Sequence, residues 1–186
     1  MPNFTDDLKN ALSSLVSGVG DVASTVQDVA RENVVKLLQG AGDVATSGIQ
    51  TVDNVVSEGL ETISQTGVNL TDGAAGLVRG VVNGAKETGV NVTQAAGEAA
   101  SQAVKTASKV GGDVGEVAIS SVEGAIKAAG DIGEDSGELA KSAVMGTLKA
   151  ADEIGSEVGS IVRKALLNAA ALPHDIIDAL LTGRTE

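Results

Sequence analysis

The sequence predicts an all-α protein built from tandem amphipathic helical units of 22 residues, and three observations carry that prediction. First, Thr66-Gly67-Val68-Asn69-Leu70-Thr71 returns as Thr88-Gly89-Val90-Asn91-Val92-Thr93, and the same step aligns Gly67, Gly89, Gly111, Gly133 and Gly155. Second, apolar residues recur with this step, as in Leu12, Val34, Val56, Val78, Ala100, Val122, Val144 and Leu166. Within a unit they stand three and four positions apart, which is helix spacing and not strand spacing. Third, 22 residues at about 3.67 per turn close a whole number of turns, so one face stays in phase along the chain. Eight such units tile residues 2–177 as a single array, and residues 178–186 form a C-terminal tail.

Taken in order, the first unit is bulky: Phe4, Leu8, Leu12 and Leu15 share its apolar face. The next two units carry Ala23 and Ala45 where later units carry glycine, which weakens the break between helices there. From Gly67 onward each glycine precedes a polar cap column, Asn69, Asn91, Asp113 and Asp135. These residue types accept from exposed N–H groups at a helix start, and an acid or amide follows three positions later, the capping-box spacing. A glycine just before such a cap suits a left-handed helix end. Two architectures fit: short antiparallel helices joined by glycine turns, or long bent helices with the polar column on the wet face. Gly111-Gly112-Asp113 and Gly130-Asp131-Ile132-Gly133 are the favoured breaks. Gly76, Gly80 and Gly84 form a small-residue ridge at the spacing that lets helices approach closely. The last unit is bulky again, with Ile176, Ile177 and Leu180, and Pro173-His174-Asp175 reads as a helix start. The bulky ends, Phe4, Leu8, Leu12, Ile176, Ile177 and Leu180, either cap the array or join one copy to the next.

Composition narrows the function. Aromatic residues make up 1% of the chain, cysteine is absent and there is one histidine. This excludes a disulfide framework and a cysteine-ligated metal, and leaves little for a catalytic triad. A net charge of −12 opposes binding to nucleic acid or to an anionic membrane. No stretch is long and apolar enough to span a bilayer, and Met1–Leu8 has no signal-peptide character, so a cytoplasmic location is expected. No cofactor, metal site or enzymatic constellation is expected. Asn3-Phe4-Thr5, Asn69-Leu70-Thr71 and Asn91-Val92-Thr93 match a glycosylation pattern but lie in the cap column, which explains them better. Small Ala and Val faces bury little area each, so the packing is expected to be completed by something outside the chain.

Gln65–Thr71 and Thr88–Thr93 resemble the Thr-Gly-Val-centred repeats of perilipins, and Gly80-Val81-Val82-Asn83-Gly84-Ala85 is similar to synuclein repeats. The period resembles that of exchangeable apolipoproteins, with bacterial phasins a looser likeness. The resemblance covers roughly residues 20–160 and implies a coat on lipid droplets or storage granules. Asp, Asn, Gln and Glu often stand where those families place lysine. The residues themselves support a self-associating structural protein, a filament, shell or coat whose partners are copies of itself. The lipid-surface coat is the alternative, and a desiccation-protective chain a further one.

Overall fold

The computed structural model describes residues 3–16, 21–40 and 44–182. Among these there are nine α-helices and no strand: α1 (Phe4–Val16), α2 (Val22–Gln39), α3 (Val44–Thr66), α4 (Leu70–Thr88), α5 (Val92–Lys109), α6 (Val114–Ile132), α7 (Ser136–Ile154), α8 (Ser156–Asn168) and α9 (His174–Thr182). The architecture is therefore the short antiparallel helices, not long bent ones. No helix among the described residues is long and apolar enough to cross a membrane.

From α3 onward the breaks follow the glycine column. Gly67, Gly89, Gly111 and Gly133 take φ of 75°, 81°, 78° and 70°. At Gly89 the left-handed turn lets Val90 N–H donate back to Ala85 O at 2.9 Å, closing the end of α4. A residue with a Cβ would be strained there. Gly155 does the same work in a more extended form, φ 159° and ψ 162°, and is the single residue between the end of α7 and the start of α8. Gly130 is not a break: α6 runs through it to Ile132. The first two breaks lie upstream of the column. α2 starts after its N-cap Asp21, and Gly40 caps its end, so Ala23 and Ala45 fall inside first turns, where alanine favours helix. At the other end α9 carries helix past Ile177 to Thr182, into the segment expected as tail; residues 183–186 lie outside the described residues.

Helices fold back on their predecessors and pack on the helix two places away, giving two layers. One holds α1, α3, α5, α7 and α9; the other holds α2, α4, α6 and α8. Consecutive helices are antiparallel: a Cβ on Gly73 would meet Ile63, and one on Gly59 would meet Leu77. Alternate helices are parallel. Gly76 lies against Ala23 and Val26, Gly80 against Gln27 and Ala30, and Gly84 against Val34, so both helices advance together. Between the layers runs one continuous core dominated by Ala and Val, including Val26, Ala30, Val52, Val78, Ala96, Ala100, Val122 and Ala140, all at 0% exposure.

The glycines divide into two kinds with opposite expected responses. Gly80→Ala places a methyl against the Gln27 carbonyl and 2.8 Å from Ala30 Cβ. Overpacking costs about 1–3 kcal/mol and outweighs the roughly 1 kcal/mol gained in helix propensity, so urea unfolding shows net destabilisation. Gly130→Ala meets nothing within 4 Å and stabilises α6 by about 0.5–1 kcal/mol. Equal effects from the two substitutions would contradict this packing.

Candidate functional site

The cap residues sit at the starts of α4 to α7. Asn69 Oδ1 accepts from Thr71 N–H at 2.8 Å, Asn91 Oδ1 from Gln94 N–H at 2.9 Å, and Asp113 Oδ1 from Glu116 N–H at 3.0 Å. Asp135 Oδ1 accepts from both Gly137 and Glu138, at 2.8 and 3.1 Å. Each satisfies N–H groups that have no partner within the helix. Their work is local, and they converge on no common site. Gly76, Gly80 and Gly84 are buried between α2 and α4 within the chain, so this ridge is not open to a second molecule.

The bulky end residues divide. Phe4, Leu8 and Leu12 are 6%, 0% and 1% exposed, and Ile177 is fully buried. These side chains fill the array's own core, because α1 packs on α2 and α3 and α9 packs on α7 and α8. As assembly contacts they are unavailable. Ile176 and Leu180 are half-buried against the same core. Among the described residues, the large apolar side chains that are exposed are Leu37, Met145, Ile154, Ile161 and Leu167. His174 is exposed at the first position of α9.

Sequence reasoning missed a ladder of ion pairs between parallel helices of one layer. Arg31 Nη1 meets Glu87 Oε1 at 2.7 Å, joining α2 to α4. Arg79 grips Asp131 through Nε at 2.6 Å and Nη2 at 2.7 Å, joining α4 to α6, and Lys86 meets Glu134 beside it. In the other layer Lys109 meets Glu61 at 2.7 Å and Lys105 meets Glu153 at 2.8 Å. Partners lie 48 to 56 positions apart where hydrogen bonds join them, about two units plus a turn or more, so no local pattern announces them. The i, i+4 pair Glu32–Lys36 forms only loosely, at 3.9 Å. The Arg79 hydrogen bonds hold the Asp131 carboxyl below its ordinary range, against the opposing effect of burial.

Asp53 of α3 behaves in the opposite way. Burial raises its pKa, the nearby Glu98 carboxylate raises it further, and Lys105 only partly offsets this. Its Oδ1 is buried with no hydrogen-bond partner among the described residues.

Clefts open at several places on the described surface. One of about 310 Å³ lies over α2, α4 and α6 among the ladder's charged groups. Another, of about 250 Å³, follows the close contact of α5 and α7 at Gly97 and Gly146. A further one, about 400 Å³ and mostly apolar, lies where the α8–α9 link passes Ile126 and Gly137. Among the described residues no group of three or more His, Cys, Asp or Glu is placed to hold a metal. Neither a known protein family nor a curated protein matches the chain.

Two pH-linked outcomes follow. The Arg79–Asp131 coupling, measured by a double-mutant cycle to alanine, is about 1 kcal/mol at neutral pH. Because the folded-state pKa of Asp131 is lowered, this stability is present above the ordinary carboxylate value of 3.8 and fades as pH falls through the folded value. Asp53 carries the reverse sign. Its raised pKa means the folded state favours the protonated form, and stability is lost as pH rises through the folded value. Asp53→Asn therefore raises the melting temperature at pH 7 and leaves it nearly unchanged at pH 3; a lowered melting temperature at pH 7 would refute the assignment.

Proposed function

We propose that this chain is a non-enzymatic structural protein that self-associates, building a filament, shell or coat from copies of itself. One observation carries the reading. Leu37 is 52% exposed, yet the residues at 22-residue steps after it, Gly59, Val81, Ala103, Ala125 and Thr147, are all buried. Ile161 is 44% exposed, yet Leu139, Val117, Ala95 and Gly73, at the same step before it, are all buried. Two different positions of the unit, each covered in the interior, are thus exposed in the outermost helices of one layer, Leu37 in α2 and Ile161 in α8, and each holds a large apolar residue there. Ile154 and Leu167 add to the exposed apolar surface at the C-terminal end. Contacts between two different ends are heterologous and propagate unless the rotation closes a ring.

The lipid-surface coat is the alternative. It requires the layers to part, because the apolar faces that would lie on lipid are buried in the core.

Light scattering over a concentration series and electron microscopy of the purified chain test the reading. Concentration-dependent growth is expected, reduced by Leu37→Asp or Ile161→Asp with helicity by circular dichroism unchanged. A monomer at all concentrations refutes it. Dispersal of oligomers into lipid-bound chains on adding a neutral-lipid emulsion favours the alternative.

A further inference from the structure

The cleft over α2, α4 and α6 is lined by two residues, the exposed Asp28 and the buried Asn83, each with an acceptor that has no donor among the described residues. The cations around it are all engaged: Arg31 by Glu87, Arg79 by Asp131, and Lys86 by Glu134. Asp28, which lines the same cleft, pairs with none of them, although its charge acts on Arg31 and Arg79. Asn83 is the second. It is 7% exposed and lines the cleft, and its Nδ2 donates to Asp131 Oδ2 at 3.2 Å. That bond fixes the amide's orientation, since the flipped amide would set its oxygen against a carboxylate. Asn83 Oδ1 is left buried with no donor. A buried polar atom without a partner is rare enough in folded proteins to call for one.

We propose that this cleft binds a small organic diamine, one ammonium group donating to Asn83 Oδ1 and the other facing Asp28. The chemistry follows from two acceptors, the buried Asn83 Oδ1 without a donor and the exposed Asp28 carboxylate without an ion-pair partner, in a protein of net charge −12 that gathers cations around it. An anion would meet Asp28 and find every local cation already paired. A metal ion lacks a ligand set, as no cluster of three or more suitable side chains is present among the described residues. The size also fits. A cleft of about 310 Å³ has the volume of roughly ten liquid waters at ~30 Å³ each, room for a chain of four or five carbons with two ammonium groups. Asn83 Oδ1 has almost no surface open to the cleft, so contact with it requires a rim side chain to move. Lys86, 48% exposed against 39% for Arg31 and 29% for Arg79, is the rim cation with most freedom to swing aside.

Calorimetric and NMR titration of the full chain with 1,4-diaminobutane tests the proposal. Saturable one-site binding is expected, with shifts of the Asn83 side-chain amide and the Asp28 backbone signals. Asp28→Asn weakens binding about tenfold, the loss of one charge-assisted hydrogen bond. Asp178→Asn removes the same charge on α9, which touches none of the three helices, and changes affinity by less than about twofold. Asn83→Val abolishes binding while circular dichroism stays native. If that variant unfolds, the Asn83 amide signals of the unaltered protein decide whether the cleft is occupied. Absence of saturable binding overturns the proposal, as do unmoved Asn83 signals. So does equal weakening by Asp28→Asn and Asp178→Asn, which would mean that net charge alone collects the diamine.

Discussion

The close approach of parallel helices two places apart is the contact on which the rest of this structure depends. At Gly76, Gly80 and Gly84 the backbone of α4 lies so near α2 that no Cβ fits. Gly124 meets the Ala75 backbone in the same way between α4 and α6, and Gly146 meets Gly97 between α5 and α7. A protein with one phenylalanine and no tryptophan or tyrosine cannot fill wide gaps between helices. It closes the gaps instead. When backbones approach this closely, Ala and Val are large enough to line the core between the layers, where they are fully buried. What looks in the composition like too little bulk for a core is therefore matched to a narrower space.

That contact also constrains the turns and the charges. Alternate helices lie parallel and in near register only if each helix and its turn consume about the same length of chain, which the 22-residue step provides. Once registered, the outer edges of helices in one layer face each other at a fixed offset. Arg31, Arg79, Lys86 and Lys105 each reach forward to an acid near the end of the helix two places on. These pairs are surface-exposed and individually weak. Their value is directional: shifting one helix by a turn would break its pairs and drive a glycine ridge into side chains at once. The bidentate Arg79–Asp131 pair, with Asn83 beside it, holds that register most firmly.

Features that act within a few residues are legible in the sequence. The left-handed glycines and the caps Asn69, Asn91, Asp113 and Asp135 depend on local backbone chemistry, and their spacing exposes them. The early breaks are harder to place, because Ala23 and Ala45 stand in the glycine column while Asp21 and Gly40 bound the helix. The ion-pair ladder is illegible, since nothing in the sequence near Arg31 points to Glu87 until the layers are known. The chain ends are ambiguous for a related reason. Bulk at Phe4, Leu8 and Leu12 signals a buried face equally well whether the cover comes from the same chain or another, and here α2 and α3 supply it. The exposed residues Leu37 and Ile161 do not stand out, because their columns are largely apolar or small and only burial distinguishes the ends from the middle.

Self-association and lipid coating make different demands on this fold, and the difference lies in which face each one uses. A lipid surface competes with folding for the same side chains, among them Val26, Ala30, Val78, Ala96 and Val122. Their burial stabilises the array at about 25 cal/mol per Å², and small side chains contribute little area each, so the layers are easier to part than a bulky core would be. Yet parting them also gives up the glycine contacts and the ladder, which have no counterpart on lipid. The proposed association of copies would use Leu37, Ile161 and their neighbours, which the folded chain already leaves exposed. It forfeits no internal contact and adds burial where the array has none. On these terms the proposed association would start from the folded state as it stands, whereas coating would first have to offset the loss of that state.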